Sequence, residues 1–149
     1  MKNLVIIPTY NEKENIEKII RSVFLLENNF HILIVDDGSP DGTASIIKSL
    51  QSEFSNSLHL VERTEKLGLG TAYIHGFKWA LKKDYEFIFE MDADFSHDPK
   101  DLNRLLDACK GEGYDLSIGS RYIKDGKVKN WPKTRWLMSY FASVYVRLI

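Results

Sequence analysis

The stretch Phe87-Ile88-Phe89-Glu90-Met91-Asp92-Ala93-Asp94 decides how this chain reads. It begins as an apolar run of strand length and ends in two carboxylates one residue apart. On an extended backbone, positions i and i+2 point the same way. Asp92 and Asp94 can therefore approach one hard cation, Mg²⁺ or Mn²⁺. A metal held by so few protein oxygens keeps positions open for phosphate oxygens, which suits a diphosphate leaving group. An isolated Asp-x-Asp more often supplies turn or capping carboxylates. Its place at a strand end turns the balance toward a metal grip.

Outward from this stretch, apolar runs and helical patterns alternate. Leu4–Pro8, Ile32–Asp36, Leu58–Glu62, Phe87–Met91 and Leu116–Gly119 read as strands. Asn15–Leu26, Thr43–Phe54, Gly68 to Lys82, Pro99–Lys110 and the segment from Lys133 onward read as helices, with Asp98 capping the fourth. Residues 123–131 read as a mobile loop. Continuously apolar strands separated by helices predict an α/β fold with a mainly parallel sheet covered on both faces. In such sheets ligands bind beyond the carboxyl ends of the strands. Candidate residues do follow Pro8, Val35, Met91 and Gly119.

After the first strand comes Pro8-Thr9-Tyr10-Asn11-Glu12. The Tyr10 ring can stack on a base, and Glu12 can accept hydrogen bonds from base N–H groups. Packing by Tyr10 and helix capping by Asn11 fit equally well. After the second strand comes Val35-Asp36-Asp37-Gly38-Ser39. An acid there often holds a ribose hydroxyl, and Asp37 is the candidate, with Asp36 and Asp41 read as structural. Lys66-Leu67-Gly68-Leu69-Gly70-Thr71 matches neither a P-loop nor a dinucleotide fingerprint and reads as a packing and turn segment. Gly119-Ser120-Arg121-Tyr122 places an arginine, suited to bidentate phosphate contact, after a strand. Lys127, Lys129 and Lys133 read mainly as a solvated basic face. His31, His59, His75 and His97 form no spaced pair typical of zinc.

The chain has 149 residues, enough for one domain with a core. Its net charge of −1 gives no basic surface for non-specific nucleic-acid binding. The single cysteine, Cys109, reads as a packing residue and fits a reducing cytoplasm. Leu4–Ile7 is too short for a signal peptide, and no apolar stretch is long enough to span a bilayer. Trp136–Ile149 is rich in large apolar residues and shows no stop signal. The expectation is a C-terminally truncated domain, with this helix packing on the remainder or lying at a membrane interface.

Together, Pro-Thr-Tyr-Asn-Glu, Asp-Asp-Gly-Ser-Pro-Asp-Gly-Thr, Gly-Leu-Gly-Thr-Ala-Tyr, Met-Asp-Ala-Asp-Phe-Ser-His-Asp-Pro, Gly-Ser-Arg-Tyr and Asn-Trp-Pro-Lys-Thr-Arg, in that order, resemble the dolichol-phosphate (polyprenol-phosphate) mannosyltransferases of glycosyltransferase family 2. The resemblance implies a GT-A, Rossmann-like sandwich over residues 1–149. It implies a GDP-mannose donor, a dolichyl or polyprenyl phosphate acceptor at a membrane surface, and Mg²⁺ or Mn²⁺. By the same resemblance, Pro8, Tyr10 and Glu12 contact guanosine, and Val35 and Asp37 contact the nucleoside. Asp92, Ala93 and Asp94 line diphosphate and metal. Arg121 meets phosphate near the reaction centre, and Arg135 faces the lipid phosphate, so catalysis falls to Asp94, Arg121 and Arg135. The implied location is cytoplasmic, peripheral on the membrane's cytoplasmic face. Family members carry further basic residues beyond the point matching Ile149. The alternatives are a family-2 transferase using another nucleotide sugar, such as UDP-glucose, and a nucleotide-binding module without turnover.

Overall fold

The computed structural model describes residues 2–120 and 132–148. The chain divides into two compact units, Met1–Ser117 and Ile118–Ile149. The first unit holds four strands and four helices: β1 (Asn3–Thr9), α1 (Ile16–Phe24), β2 (Phe30–Asp36), α2 (Thr43–Gln51), β3 (Leu58–Glu62), α3 (Leu69–Ala80), β4 (Phe87–Glu90) and α4 (Asp101–Glu112). The four strands form one sheet of order β3-β2-β1-β4, and every pairing is parallel. The parallel sheet expected from the apolar runs is therefore present.

Both faces of the sheet are covered, as parallel sheets require. One face buries Val5, Ile7, Ile32 and Ile34 against Ile16, Ile19, Ile20 and Val23 of α1, Ile47 and Leu50 of α2, and Leu102 and Leu106 of α4. The other buries Leu4, Ile6, Leu33 and Val35 against Ala72 and Ala80 of α3. The split follows the period of two along each strand. The third helix comes unusually close to β1. A Cβ added at Gly76 would stand 2.6 Å from Ile6 Cγ2, so glycine here serves the close approach rather than helix propensity.

Local chemistry sets the ends of the elements. Pro8, which has no N–H to donate, lies past the β1–β4 ladder, whose last pair is Ile6 with Glu90. Asp98 accepts from the Lys100 N–H at 3.0 Å in the turn before α4. It does not cap the helix as expected, because the helix starts only at Asp101 and its N-cap position is Lys100, with no side-chain cap. Cys109 is a half-buried free thiol on that helix.

One expected strand is absent. Leu116–Gly119 makes no ladder, and Leu116 and Ile118 are 74% and 76% exposed. A short apolar run becomes a strand only when a neighbour supplies hydrogen bonds and cover. This segment finds neither among the described residues, and the boundary between the two units falls within it. In the second unit, α5 (Lys133–Leu148) forms the helix expected from Lys133 onward. Trp136 and Tyr140 stack on it one turn apart, with ring centroids 5.5 Å apart. No helix among the described residues is long and apolar enough to cross a membrane.

Candidate functional site

The strand order reverses at β1. The chain runs β1 to β2 to β3 on one side, and β4 returns to the other. The crevice beyond the carboxyl ends of β1 and β4 is thus the switch point where open α/β sheets bind ligands. A cleft of about 250 Å³ lies there, lined by Pro8, Thr9, Tyr10, Glu12, Asp37, Lys66, Gly68, Leu69, Ala72, Asp92, Ala93 and Asp94. Seven of these are residues the sequence singles out: Pro8, Tyr10, Glu12, Asp37, Asp92, Ala93 and Asp94. Val35 is different. Its side chain is fully buried against the α3 face and does not line the cleft. A larger hollow, about 320 Å³, opens at the sheet's other end beside Lys2, Phe30 and His31, away from these residues.

The acidic pair sits just past β4. The strand ends at Glu90, and the Met91 N–H still donates to the Ile6 carbonyl at 3.1 Å. Although the backbone then bends, alternation persists: Met91 and Ala93 are buried in the core, while Asp92 is half-buried and Asp94 exposed. Both carboxylates are held by neighbours. Tyr73 Oη donates to Asp92 Oδ1 at 3.1 Å. Burial, and then the charge of Asp92, push the Tyr73 hydroxyl well above the usual tyrosine range, so it remains a donor. The Ser96 N–H donates to Asp94 Oδ1 at 2.8 Å. Burial raises the Asp94 carboxyl, but hydrogen bonds from Ser96 outweigh it and hold the group below the usual range, so Asp94 is ionised at neutral pH. The Asp92 N–H donates to His97 Nδ1 at 3.3 Å, which brings His97 to this turn. Phe95, directly after Asp94, takes a left-handed φ of 58°.

The loops after β1 and β2 are tied together. Thr9 Oγ1 donates to Asp36 Oδ1 at 2.9 Å, and Ser39 donates to Asp36 through both N–H and Oγ. The N–H groups of Asn11, Glu12 and Lys13 donate to Ser39 Oγ, Thr43 Oγ1 and Asp41 Oδ2, each at about 3 Å. The structural roles expected of Asp36 and Asp41 hold. Asn11 has a left-handed φ of 61°, which asparagine tolerates, and this turns the chain so that Tyr10 is 37% exposed at the cleft.

Several of the site's side chains are not evident from the motifs. Arg63, just past β3, forms an ion pair with Asp37 in which both side chains are buried, 8% and 7% exposed. Its Nε donates to Asp37 Oδ1 at 2.6 Å, and its Nη1 donates to Thr71 Oγ1 at 2.8 Å. Lys66 places Nζ 4.1 Å from the centroid of the Tyr10 ring. The packing role expected of the Lys66–Thr71 segment is met at Gly68, whose φ of 94° opens α3, yet Lys66, Gly68 and Leu69 also line the cleft. The strand-end rule, applied to β3 as to its neighbours, points to Arg63. Tyr73 has no such signal, because a tyrosine inside a helix reads as packing.

Arg121 and the loop 123–131 lie outside the described residues. Arg135 is in the first turn of α5, in the second unit, with an exposed side chain.

The donor set fits a hard divalent cation. Asp92 and Asp94 bring oxygen ligands to one cleft, and Asp94 is ionised. Among the described residues, no group of three or more His, Cys, Asp or Glu side chains forms a closed metal cage. A cation held here would take its remaining ligands from water or from a bound anion.

The comparisons with known proteins agree with this geometry. The model of glycosyl transferase family 2 matches residues 4–147. The chain is 49% identical over 148 residues to polyprenol monophosphomannose synthase of Mycolicibacterium smegmatis, covering 99% of this chain and 56% of that protein. It is 44% identical to undecaprenyl-phosphate mannosyltransferase of Micrococcus luteus, covering 100% and 60%. The chain thus spans a little over half the length of these two relatives. Among solved structures it resembles the mannosyltransferase PcManGT of Pyrobaculum calidifontis in complex with GDP-Man and Mn²⁺, with a TM-score of 0.56 and 29% identity over 62% of this chain and 27% of that one. The sheet, its covering helices and the cleft at its switch point are the GT-A arrangement, and the chain belongs to glycosyl transferase family 2.

Proposed function

We propose that this chain is the donor-binding part of a mannosyltransferase that moves mannose from GDP-mannose to a polyprenyl or dolichyl phosphate at a membrane surface. The observation that carries the reading is the single cleft in which Pro8, Tyr10, Glu12, Asp37, Asp92, Ala93 and Asp94 meet. The names of the two bacterial relatives and the GDP-Man and Mn²⁺ bound to the archaeal enzyme support the choice of sugar and acceptor.

Each residue then has a task. The Tyr10 ring stacks on the base, and Glu12 accepts from base N–H groups. Asp37, held rigid by Arg63, accepts from the ribose. Asp92 and Asp94 hold Mg²⁺ or Mn²⁺, with Tyr73 and Ser96 fixing their carboxylates. When bound, the cation neutralises charge on the departing diphosphate. Arg121 meets phosphate near the reaction centre, and Arg135 faces the lipid phosphate. An acceptor phosphate oxygen attacks the anomeric carbon, the bond from that carbon to the diphosphate breaks, and the configuration inverts. A phosphate monoester loses its second proton near pH 6, about a unit below neutrality, so the nucleophile needs no protein base.

Calorimetry of GDP, UDP and GDP-mannose, with and without Mn²⁺, tests this. The expected order is GDP and GDP-mannose well above UDP, with Mn²⁺ strengthening binding. A preference for UDP would overturn the mannosyl reading. If Asp94→Ala leaves metal-dependent binding unchanged, the metal assignment fails and a nucleotide-binding module with structural acids becomes the better account.

A further inference from the structure

The cleft carries far more negative than positive charge. Glu12, Asp37, Asp92 and Asp94 line it, and Lys66 is the one basic side chain among the described residues that do so. Arg63 already matches Asp37, and Asp92 and Asp94 are assigned to the divalent cation. A nucleoside diphosphate carries more charge than one divalent cation cancels, so its binding calls for a further cation near the phosphates. Lys66 is exposed, and its ammonium rides on a flexible four-carbon stem that can carry it across the cleft.

In this structure the ammonium sits 4.1 Å from the Tyr10 ring centroid. That ring face is also the surface on which a base would stack, and ammonium and base cannot share it. We propose that Lys66 is a diphosphate ligand whose resting seat is the Tyr10 ring: the base takes the ring, and the displaced ammonium closes on the phosphate oxygens. The proposal rests on the nucleotide-sugar reading and adds to it a cation and a sequence of events. A cation–π contact at an exposed ring is weaker than a charge-assisted hydrogen bond to phosphate. A nucleotide therefore gains from the exchange, whereas a nucleoside only evicts the lysine.

This predicts that one substitution separates two ligands of the same chain. In calorimetry with Mn²⁺, Lys66→Met should weaken GDP about tenfold, the worth of one charge-assisted hydrogen bond. The same change should leave guanosine unaltered or bound more tightly. Lys66→Arg should retain most of the GDP affinity. Equal weakening of guanosine and GDP would overturn the proposal, because Lys66 would then merely brace Tyr10. So would no change in either. Should the wild-type chain prefer UDP, the mannosyl reading fails, and uridine against UDP puts the same question to Lys66. A wild-type chain that binds no nucleoside diphosphate overturns both. Thermal denaturation of each variant separates lost binding from lost folding.

Discussion

Arg63 and Asp37, 26 residues apart, form an ion pair from which water is almost entirely excluded on both sides. It joins the end of β3 to the end of β2, and through Thr71 it reaches the start of α3. One guanidinium thus ties the end of β3 to two segments that border the cleft, at Asp37 and at the start of α3. Removing one partner of such a pair leaves the other charge buried and uncompensated. Arg63→Met should lower the free energy of unfolding by about 3 kcal/mol, read from urea denaturation. A change below about 1 kcal/mol would show that solvent screens the pair.

Tyr73 should tune the metal affinity proposed for Asp92 and Asp94 without touching nucleotide. Its hydroxyl orients Asp92, and outer hydrogen bonds of this kind are worth about 10–100-fold in metal affinity. Tyr73→Phe is expected to weaken Mn²⁺ about tenfold, measured by titration of the ion, while metal-free GDP binding stays the same. Equal loss in both measurements would mean that the substitution has disturbed the fold.

At the other end of the sheet, the Tyr85 hydroxyl bridges His31 Nδ1 at 3.1 Å and His59 Nε2 at 3.4 Å, and Trp79 packs beside His59. Burial, and then the charge of Lys2, lower His31. Burial, and then the charges of His31 and Lys83, lower His59. Both imidazoles therefore prefer to be neutral when folded, while in the unfolded chain they titrate near about 6.5. As pH falls through that value, the unfolded chain takes up protons that the folded one refuses. Stability present above about pH 6.5 is then lost. Thermal denaturation between roughly pH 7 and 5.5 should show this decline, and His31→Gln with His59→Gln should flatten it. An unchanged slope in the double variant would assign the pH dependence to other groups.

Gly76 reports on packing alone. A side chain there meets Ile6, which has no room to yield in a fully buried position. Gly76→Val should cost about 1–3 kcal/mol through overpacking, again by denaturation. If the variant is as stable as the parent, α3 and β1 are less tightly joined than their separation indicates.

The elements of the first unit were legible because each is a local pattern. Apolar runs at Leu4–Ile7 and Ile32–Val35, and helical spacing at Ile16, Ile19, Ile20 and Val23, need no distant partner to be recognised. Leu116–Gly119 has the same kind of pattern and forms no strand, because a strand also depends on a neighbour that the run itself does not encode. The place of Asp37 at a strand end, bordering the cleft, was legible. Its dependence on Arg63 was not.

Sequence alone determined which residues stand at strand ends and that two of them, Asp92 and Asp94, project from the same side of the chain. Tertiary structure decided that β4 returns beside β1, so that Tyr10 and Asp94, far apart along the chain, line one cleft. It also decided the pairs Arg63–Asp37, Tyr73–Asp92 and Lys66–Tyr10. The physical reason is range. Periodicity records how a residue faces its own helix or strand, whereas strand order and register place residues from different elements together, and these are set by the burial of both faces of the sheet at once.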